Sequence, residues 1–245
     1  MSGVLVVREA GFAPVKGMRH LALRAVDLDV RGAVGNRAYC LVDVARARVL
    51  RTVQHPSLIA ITARELDDGL ALTLPTGETA YAPAAPAGET LRCDYWGRQV
   101  GLLLTEGPHA QLASDFLGTE VRLARAPRGG VVFADPVTVL TTASLEAVGM
   151  RAESARFRAT LVVETDEPWV EDDWAGRLIT VGGATLRVGG PVPRCAVVDH
   201  HPVTGVKDVR LLKRLVRERP TNRAGEPMFG VYATVVEPGR VDVTP

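Results

Sequence analysis

Arg177-Leu178-Ile179-Thr180-Val181-Gly182-Gly183-Ala184-Thr185-Leu186-Arg187-Val188 decides the fold class. Two apolar-rich runs flank Gly182-Gly183. That pair is a two-residue turn of the kind that closes a β-hairpin, because both central positions favour φ above zero. The same grammar recurs along the chain. Leu70, Leu72 and Leu74 alternate with Ala71 and Thr73, the period of a half-buried strand. Asp67-Asp68-Gly69 ahead of them reads as a turn, with Ser57–Thr62 as the partner strand. Further strands are expected at Val4–Val7, Tyr39–Asp43, Glu89–Arg92, Gln99–Leu104, Thr160–Glu164, Cys195–Asp199, Val231–Val236 and Arg240–Val243. Residues 75–90, rich in Pro and Gly, read as a loop. Many short strands with regularly spaced turns point to a barrel or sandwich.

Three helices interrupt this pattern. Pro108 starts one that Gly118 stops. Thr141 or Thr142 caps a second, with Leu145, Val148 and Met150 on one side. Asp208 is expected to cap a third over Val209–Arg219, ended by Pro220, with Val209, Leu212 and Val216 as its apolar stripe. The basic residues of that helix read as a solvated face, or as a dock for an acidic partner.

The 245 residues suit one large domain or two small ones, long enough for a core without disulfide staples. Lys+Arg is 29 against Asp+Glu 28, so no basic excess drives binding to nucleic acid or an anionic membrane. The apolar runs fall well short of the roughly 18 residues that span a bilayer. The start, Met1 to Glu9, has no cationic segment before its apolar run, which argues against a secretory signal and makes a cytoplasmic location the expectation. Cys40, Cys93 and Cys195 show no CxxC spacing, and the five histidines show no zinc-ligand spacing. Gly-rich phosphate loops and the GxSxG elbow are also missing.

Three clusters could carry chemistry. Pro193-Arg194-Cys195-Ala196-Val197-Val198-Asp199-His200-His201 places a thiol beside a guanidinium, after Gly189-Gly190-Pro191. The neighbouring charge favours a thiolate, which is both a nucleophile and a soft metal ligand. The alternative is an inert buried cysteine. Arg156-Phe157-Arg158, before a strand, could bind an anion or simply face solvent. The same choice stands for Lys16, one of only three lysines, and for Arg37. Cys40 and Cys93 read as core thiols, Trp169 and Trp174 as packing, and His200-His201 as a turn.

Taken together, these segments resemble the MOSC family, named for the molybdenum-cofactor sulfurase C-terminal domain. The similarity is to members with an N-terminal β-barrel subdomain, such as the amidoxime-reducing component of mitochondria. It rests on Pro14-Val15-Lys16-Gly17, Asn36-Arg37-Ala38-Tyr39-Cys40-Leu41-Val42 and Gln54-His55-Pro56-Ser57-Leu58. It continues through Ser144-Leu145, Arg156-Phe157-Arg158, Glu171-Asp172-Asp173-Trp174, Arg194-Cys195 with Thr204-Gly205, and Met228-Phe229-Gly230-Val231-Tyr232.

The resemblance implies a mixed β/α fold dominated by β: a MOSC-type β-barrel with flanking helices over residues 93–245, and a smaller N-terminal β subdomain over residues 1–92. It implies a molybdenum–molybdopterin cofactor with Cys195 as the metal ligand and catalytic residue. Lys16, Arg37, Arg158, Arg194 and Tyr232 match cofactor-contacting positions. Arginine suits phosphate through its fork geometry, and lysine as a point charge. The implied activity is oxotransferase-type reduction of small N-hydroxylated compounds, with electrons from a separate ferredoxin or flavoprotein type of donor. The alternative is cofactor handling, with Cys195 carrying sulfur as a persulfide. Three departures from the family pattern stand out. Gly17 replaces a serine, Thr160 stands where an asparagine contact is expected, and Pro193 replaces a serine before Arg194-Cys195.

Overall fold

The computed structural model describes residues 4–244. Residues 1–3, the start of the stretch read for a leader, lie outside the described residues. The fold is β-dominated with a closed barrel and flanking helices, as the sequence implied. Strands at Pro86–Tyr95, Arg98–Thr105, Arg122–Arg125, Tyr39–Asp43 and Arg48–Val49 close a five-stranded barrel. Their inward positions, Cys40, Val42, Cys93, Tyr95, Leu102 and Leu104 among them, are buried together. A three-stranded sheet of Thr62–Leu66, Gly69–Thr73 and Thr79–Ala82 lies alongside. Leu70 and Leu72 are fully buried in its core, as their alternation foretold.

An eight-stranded sheet forms the other half. Its order runs Val4–Leu5, Leu178–Val181, Ala184–Pro193, Met228–Glu237, Val137–Thr141, Leu161–Val163, Val7–Phe12, Leu21–Leu23. The Gly182-Gly183 hairpin is present, with Val181 paired to Ala184. Ala25–Asp29 pairs with both Gly32–Ala33 and Gly239–Asp242. Strands from the beginning and end of the chain therefore share sheets. The position after residue 92 falls inside the long barrel strand Pro86–Tyr95.

Helix α1 spans His109–Leu117 and ends at Gly118 in the left-handed conformation. Helix α2 spans Thr142–Ala147, and the Thr141 side chain accepts a hydrogen bond from the Ser144 amide. Both match expectation. Helix α3 starts later than expected, at Leu211, and ends at Glu218. Asp208 does not cap it, because its carboxylate is taken by Arg156. The Leu212 amide donates instead to Asp199 Oδ1 at 2.7 Å. The buried stripe is Leu211 and Leu215, while Val216 is exposed. Arg219 is also buried and bonds Asp172, and Arg214 donates to carbonyls of Ala147 and Val148. The solvated basic face is thus smaller than the sequence implied.

Three more expectations are corrected. Ser57–Thr62 is not a strand: Pro56–Ala60 forms a 3₁₀ helix. Pro56 fixes φ and offers no N–H to a ladder, while consecutive burial of Leu58, Ile59 and Ala60 suits a tight helix better than an alternating strand. Residues 75–90 are not one loop, since they contain the strand Thr79–Ala82 and the start of Pro86–Tyr95. Cys195–Asp199 is not a strand either. The preceding strand absorbs Gly189-Gly190-Pro191 as bulges and runs to Pro193. Ala196–Asp199 then turns as a 3₁₀ helix with Cys195 at its N-cap.

Among the described residues, no helix is long and apolar enough to cross a membrane.

Candidate functional site

Lys16, Arg37, Arg158, Arg194, Cys195 and Tyr232 all line one cleft of about 210 Å³ between the barrel and the eight-stranded sheet. Their positions follow from local backbone bonding. The segment Ala13–Lys16 is zipped to Arg37–Tyr39: Arg37 N donates to Ala13 O at 2.9 Å, Tyr39 N to Pro14 O at 3.1 Å and Lys16 N to Tyr39 O at 2.7 Å. Gly17 follows at φ +90°, a conformation an L side chain resists. This accounts for glycine at the position where the family pattern has serine. Lys16 Nζ lies 5.2 Å from the Tyr95 ring centroid.

Arg158 ends the 3₁₀ segment Arg151–Phe157 in the left-handed region, at φ 53°. Arg37 has φ 50°. Non-glycine residues held there carry strain of order 1–2 kcal/mol each. Both site arginines carry it. The Arg158 Nη2 donates to Met18 O at 2.6 Å. Thr160, two residues on, lines the cleft, and its Oγ1 accepts from the Thr138 amide at 3.2 Å.

Arg194 follows the end of its strand, and its amide donates to Pro227 O at 2.9 Å. Its guanidinium lies near the Phe157 and Phe229 rings, 5.3 and 5.9 Å from their centroids. Nε donates to Phe229 O at 2.8 Å and Nη1 to Phe157 O at 2.9 Å. Among the described residues Nη2 has no partner, and neither has Arg37 Nε, although both are buried. Gly230, at φ +72°, lets the Met228–Glu237 strand approach this closely, since a Cβ there would meet Leu140 Cδ2 at 2.3 Å. Cys195 is the exposed thiol of the three; Cys40 and Cys93 are buried.

Basic groups outnumber acidic ones in the cleft, which Asp135 and Glu226 also line. Among the described residues, none of Lys16, Arg37, Arg158 and Arg194 forms an ion pair. Burial, then Arg37 and Arg158, holds the Lys16 ammonium well below the usual lysine range. Burial, then Arg37, brings Arg158 down to about 9, and burial brings Arg194 down to about 10. Arg37 is lowered by burial as well. Burial raises Tyr232, so its phenol stays protonated as a donor. Uncompensated buried cations are costly, and the cost is removed when an anion enters.

The structural framework behind the cleft explains other quoted motifs. Glu171 is fully buried, and its Oε2 accepts from Thr141 Oγ1 and Ser144 Oγ at 2.9 Å each. Trp174 is buried and Trp169 packs edge-on against Phe229, so both are packing residues. Gly205 presses on Pro56, where a Cβ would meet the carbonyl at 2.3 Å. His200 and His201 lie in a turn: His200 N bonds Val197 O, and His201 Nδ1 faces the Val203 and Thr204 amides.

Sequence reasoning missed the rim. Arg51, Trp96 and Phe133 also line the cleft. Trp96 occupies a hairpin tip at φ 56°, beside Gly97 at φ 77°. A tryptophan where such turns favour Asn or Gly was the available signal.

Residues 6–120 match the MOSC N-terminal beta barrel domain and residues 131–244 match the MOSC domain. Molybdenum cofactor sulfurase 1 of Aedes aegypti is 36% identical over 85 residues, covering 35% of this chain and 10% of that protein. Molybdenum cofactor sulfurase of Danio rerio is 34% identical over 77 residues, 31% of this chain and 8% of that protein. The chain thus matches only about a tenth of the length of these relatives. The crystal structure of the YuaD protein from Bacillus subtilis aligns with a TM-score of 0.44 at 10% identity, over 98% of this chain and 91% of that one. Matched along almost its full length, the chain belongs to the MOSC family, with the N-terminal barrel domain and the MOSC domain in one polypeptide.

Proposed function

We propose that the cleft holds the molybdenum–molybdopterin cofactor and that the protein is an oxotransferase-type reductase of N-hydroxylated compounds. The observation that carries this reading is the set of four basic residues that form no ion pair among the described residues, converging with one exposed thiol. The donor set fits the group. A pterin phosphate is a dianion that needs N–H donors, and Arg194 Nη2 and Arg37 Nε are buried N–H groups without acceptors. Thiolate is a suitable ligand for a soft redox metal. The sulfurase names of the relatives point to the same cofactor.

In this reading Cys195 ligates the metal, and Lys16, Arg37, Arg158 and Arg194 neutralise the anionic part. When bound, the cofactor supplies a redox-active metal able to pass two electrons. The overall reaction balances as R–NHOH + 2e⁻ + 2H⁺ → R–NH₂ + H₂O. The electrons come from a separate donor protein of ferredoxin or flavoprotein type. Burial holds the Lys16 pKa down, and an anion bound beside it would favour its charged form. Tyr232 keeps its proton and donates a hydrogen bond.

A second reading follows from the exposure of Cys195 and the sulfurase relatives. Cys195 would take sulfur by exchange, R–SSH + Cys195–SH → R–SH + Cys195–SSH, and pass it on.

The test is molybdenum by mass spectrometry and pterin fluorescence after oxidation, with Cys195→Ala alongside, in a host that makes the cofactor. Benzamidoxime reduction by an artificial donor follows. Near-stoichiometric metal, lost in the variant, together with turnover supports the reductase. Cofactor without turnover, but with Cys195 persulfide after treatment with a persulfide donor, supports the carrier. A folded protein with neither metal nor pterin overturns both cofactor-based readings.

A further inference from the structure

The rim of the cleft is unlike its floor. Arg51-Thr52-Val53, the hairpin tip at Trp96 and Val132-Phe133 converge from three segments into one wall. The rings of Trp96 and Phe133 meet edge to face, with centroids 5.2 Å apart and planes at 71°. Arg51 Cζ sits 4.2 Å from the Trp96 centroid. Even so, Trp96 stays 46% exposed and Phe133 49% exposed. These contacts leave about half of each ring open to the cleft mouth. Trp96 occupies a strained left-handed position at an open turn, where a Cβ on the adjacent Gly97 would touch nothing within 4 Å. Strain and exposed aromatic surface are both costs, and they coincide at the mouth of the cavity that contains Cys195.

We propose that Trp96 and Phe133 form a substrate-selecting wall that favours uncharged, planar aromatic or heteroaromatic N-hydroxylated compounds over aliphatic ones. The inference rests on the reductase reading and adds the substrate class. The buried cations of the floor draw the anionic cofactor inward, which leaves the half-exposed rings to the molecule that arrives last. Aromatic rings prefer offset or edge-on contact with a flat partner. Arg51 beside Trp96 disfavours a cationic ring, so the selected group is uncharged.

The test uses the molybdenum-loaded full chain. kcat/KM is measured for benzamidoxime and for acetamidoxime in the wild type, Trp96→Ala, Phe133→Ala and Trp96→Phe, with molybdenum and pterin content recorded for each. An aromatic contact of this kind predicts a loss of about 3–10-fold for benzamidoxime in each alanine variant, carried by KM. Acetamidoxime is expected to change little, and Trp96→Phe to recover most of the loss. Independently of turnover, benzamide should quench tryptophan fluorescence in the wild type and not in Trp96→Phe. Equal losses for both substrates would overturn the wall, as would loss of pterin in the alanine variants, since the rings would then serve the cofactor. If no N-hydroxylated compound is reduced but benzamide still quenches Trp96, the reductase reading fails and the aromatic site stands. If no quenching is seen, the wall fails whatever the activity.

Discussion

The Arg156 guanidinium holds the Asp208 carboxylate with two parallel hydrogen bonds of 2.8 and 2.7 Å. Arg156 is buried two residues before Arg158, and Asp208 follows the turn that begins at Cys195. The pair therefore ties the segment carrying one site cation to the segment carrying the thiol. Asp208→Asn keeps the shape but removes the charge. The expected cost is about 2 kcal/mol, at the modest end for charged hydrogen bonds because Asp208 is partly exposed. Urea denaturation checks it. The Asp208 pKa is lowered, chiefly by its bond to Arg156, so its contribution is present above about pH 4 and is lost as pH falls through the folded value. The variant should lose stability less steeply in that acid range.

Lys16 is a test of function against stability. Its ammonium has no ion pair among the described residues, and burial opposes its charge. Lys16→Met should raise the melting midpoint of the cofactor-free protein by a few degrees, roughly 1 kcal/mol, while lowering pterin retention. A variant that melts lower and keeps its pterin would show that the lysine serves the fold.

His20 makes the pH dependence of the fold specific. Burial, then Arg158 and Arg37, brings it down to about 3. The unfolded chain binds a proton there below about pH 6.5, and the folded chain does not until about 3. Stability contributed by neutral His20 is therefore full above pH 6.5 and is lost as pH falls toward 3. Denaturant midpoints measured across that window should fall, and His20→Gln should flatten the slope.

Gly230→Ala should be among the most damaging small substitutions. The new Cβ would sit 2.3 Å from Leu140 Cδ2 and 2.7 Å from Val139 O, at a positive φ. A loss of about 2 kcal/mol or more is expected, with pterin retention reduced because Arg194 Nη2 lies 3.3 Å from the same point. Thermal unfolding and pterin content read the two effects separately.

The legibility of this fold in its sequence was uneven for physical reasons. Gly182-Gly183 and the Leu70/Leu72/Leu74 alternation are local signals, and both elements formed. Ser57–Thr62 and Cys195–Asp199 are apolar runs whose period does not separate strand from tight helix, and both became 3₁₀ turns. Two-residue strands such as Gly32–Ala33 are too short to carry a period, even with the partner Ala25–Asp29 next to it in sequence. The six residues read for the site gather in one cleft, although Lys16 and Tyr232 lie 216 positions apart. That reading came from the family resemblance, because each basic residue alone is ambiguous. Trp96 and Phe133 went unread because neither belongs to a motif quoted for the resemblance, and only the backbone brings them together.

The pairing of early strands with late ones bears on how the chain is made. Val7–Phe12 pairs with Leu161–Val163, Val4–Leu5 with Leu178–Val181 and Ala25–Asp29 with Gly239–Asp242. A ribosome adding about 5–20 residues per second leaves Ala25–Asp29 without its late partner for roughly 10–40 s. The barrel segment between them can close meanwhile, since its strands lie nearer in sequence. Nascent chains therefore hold these early strands without their late partners through most of translation.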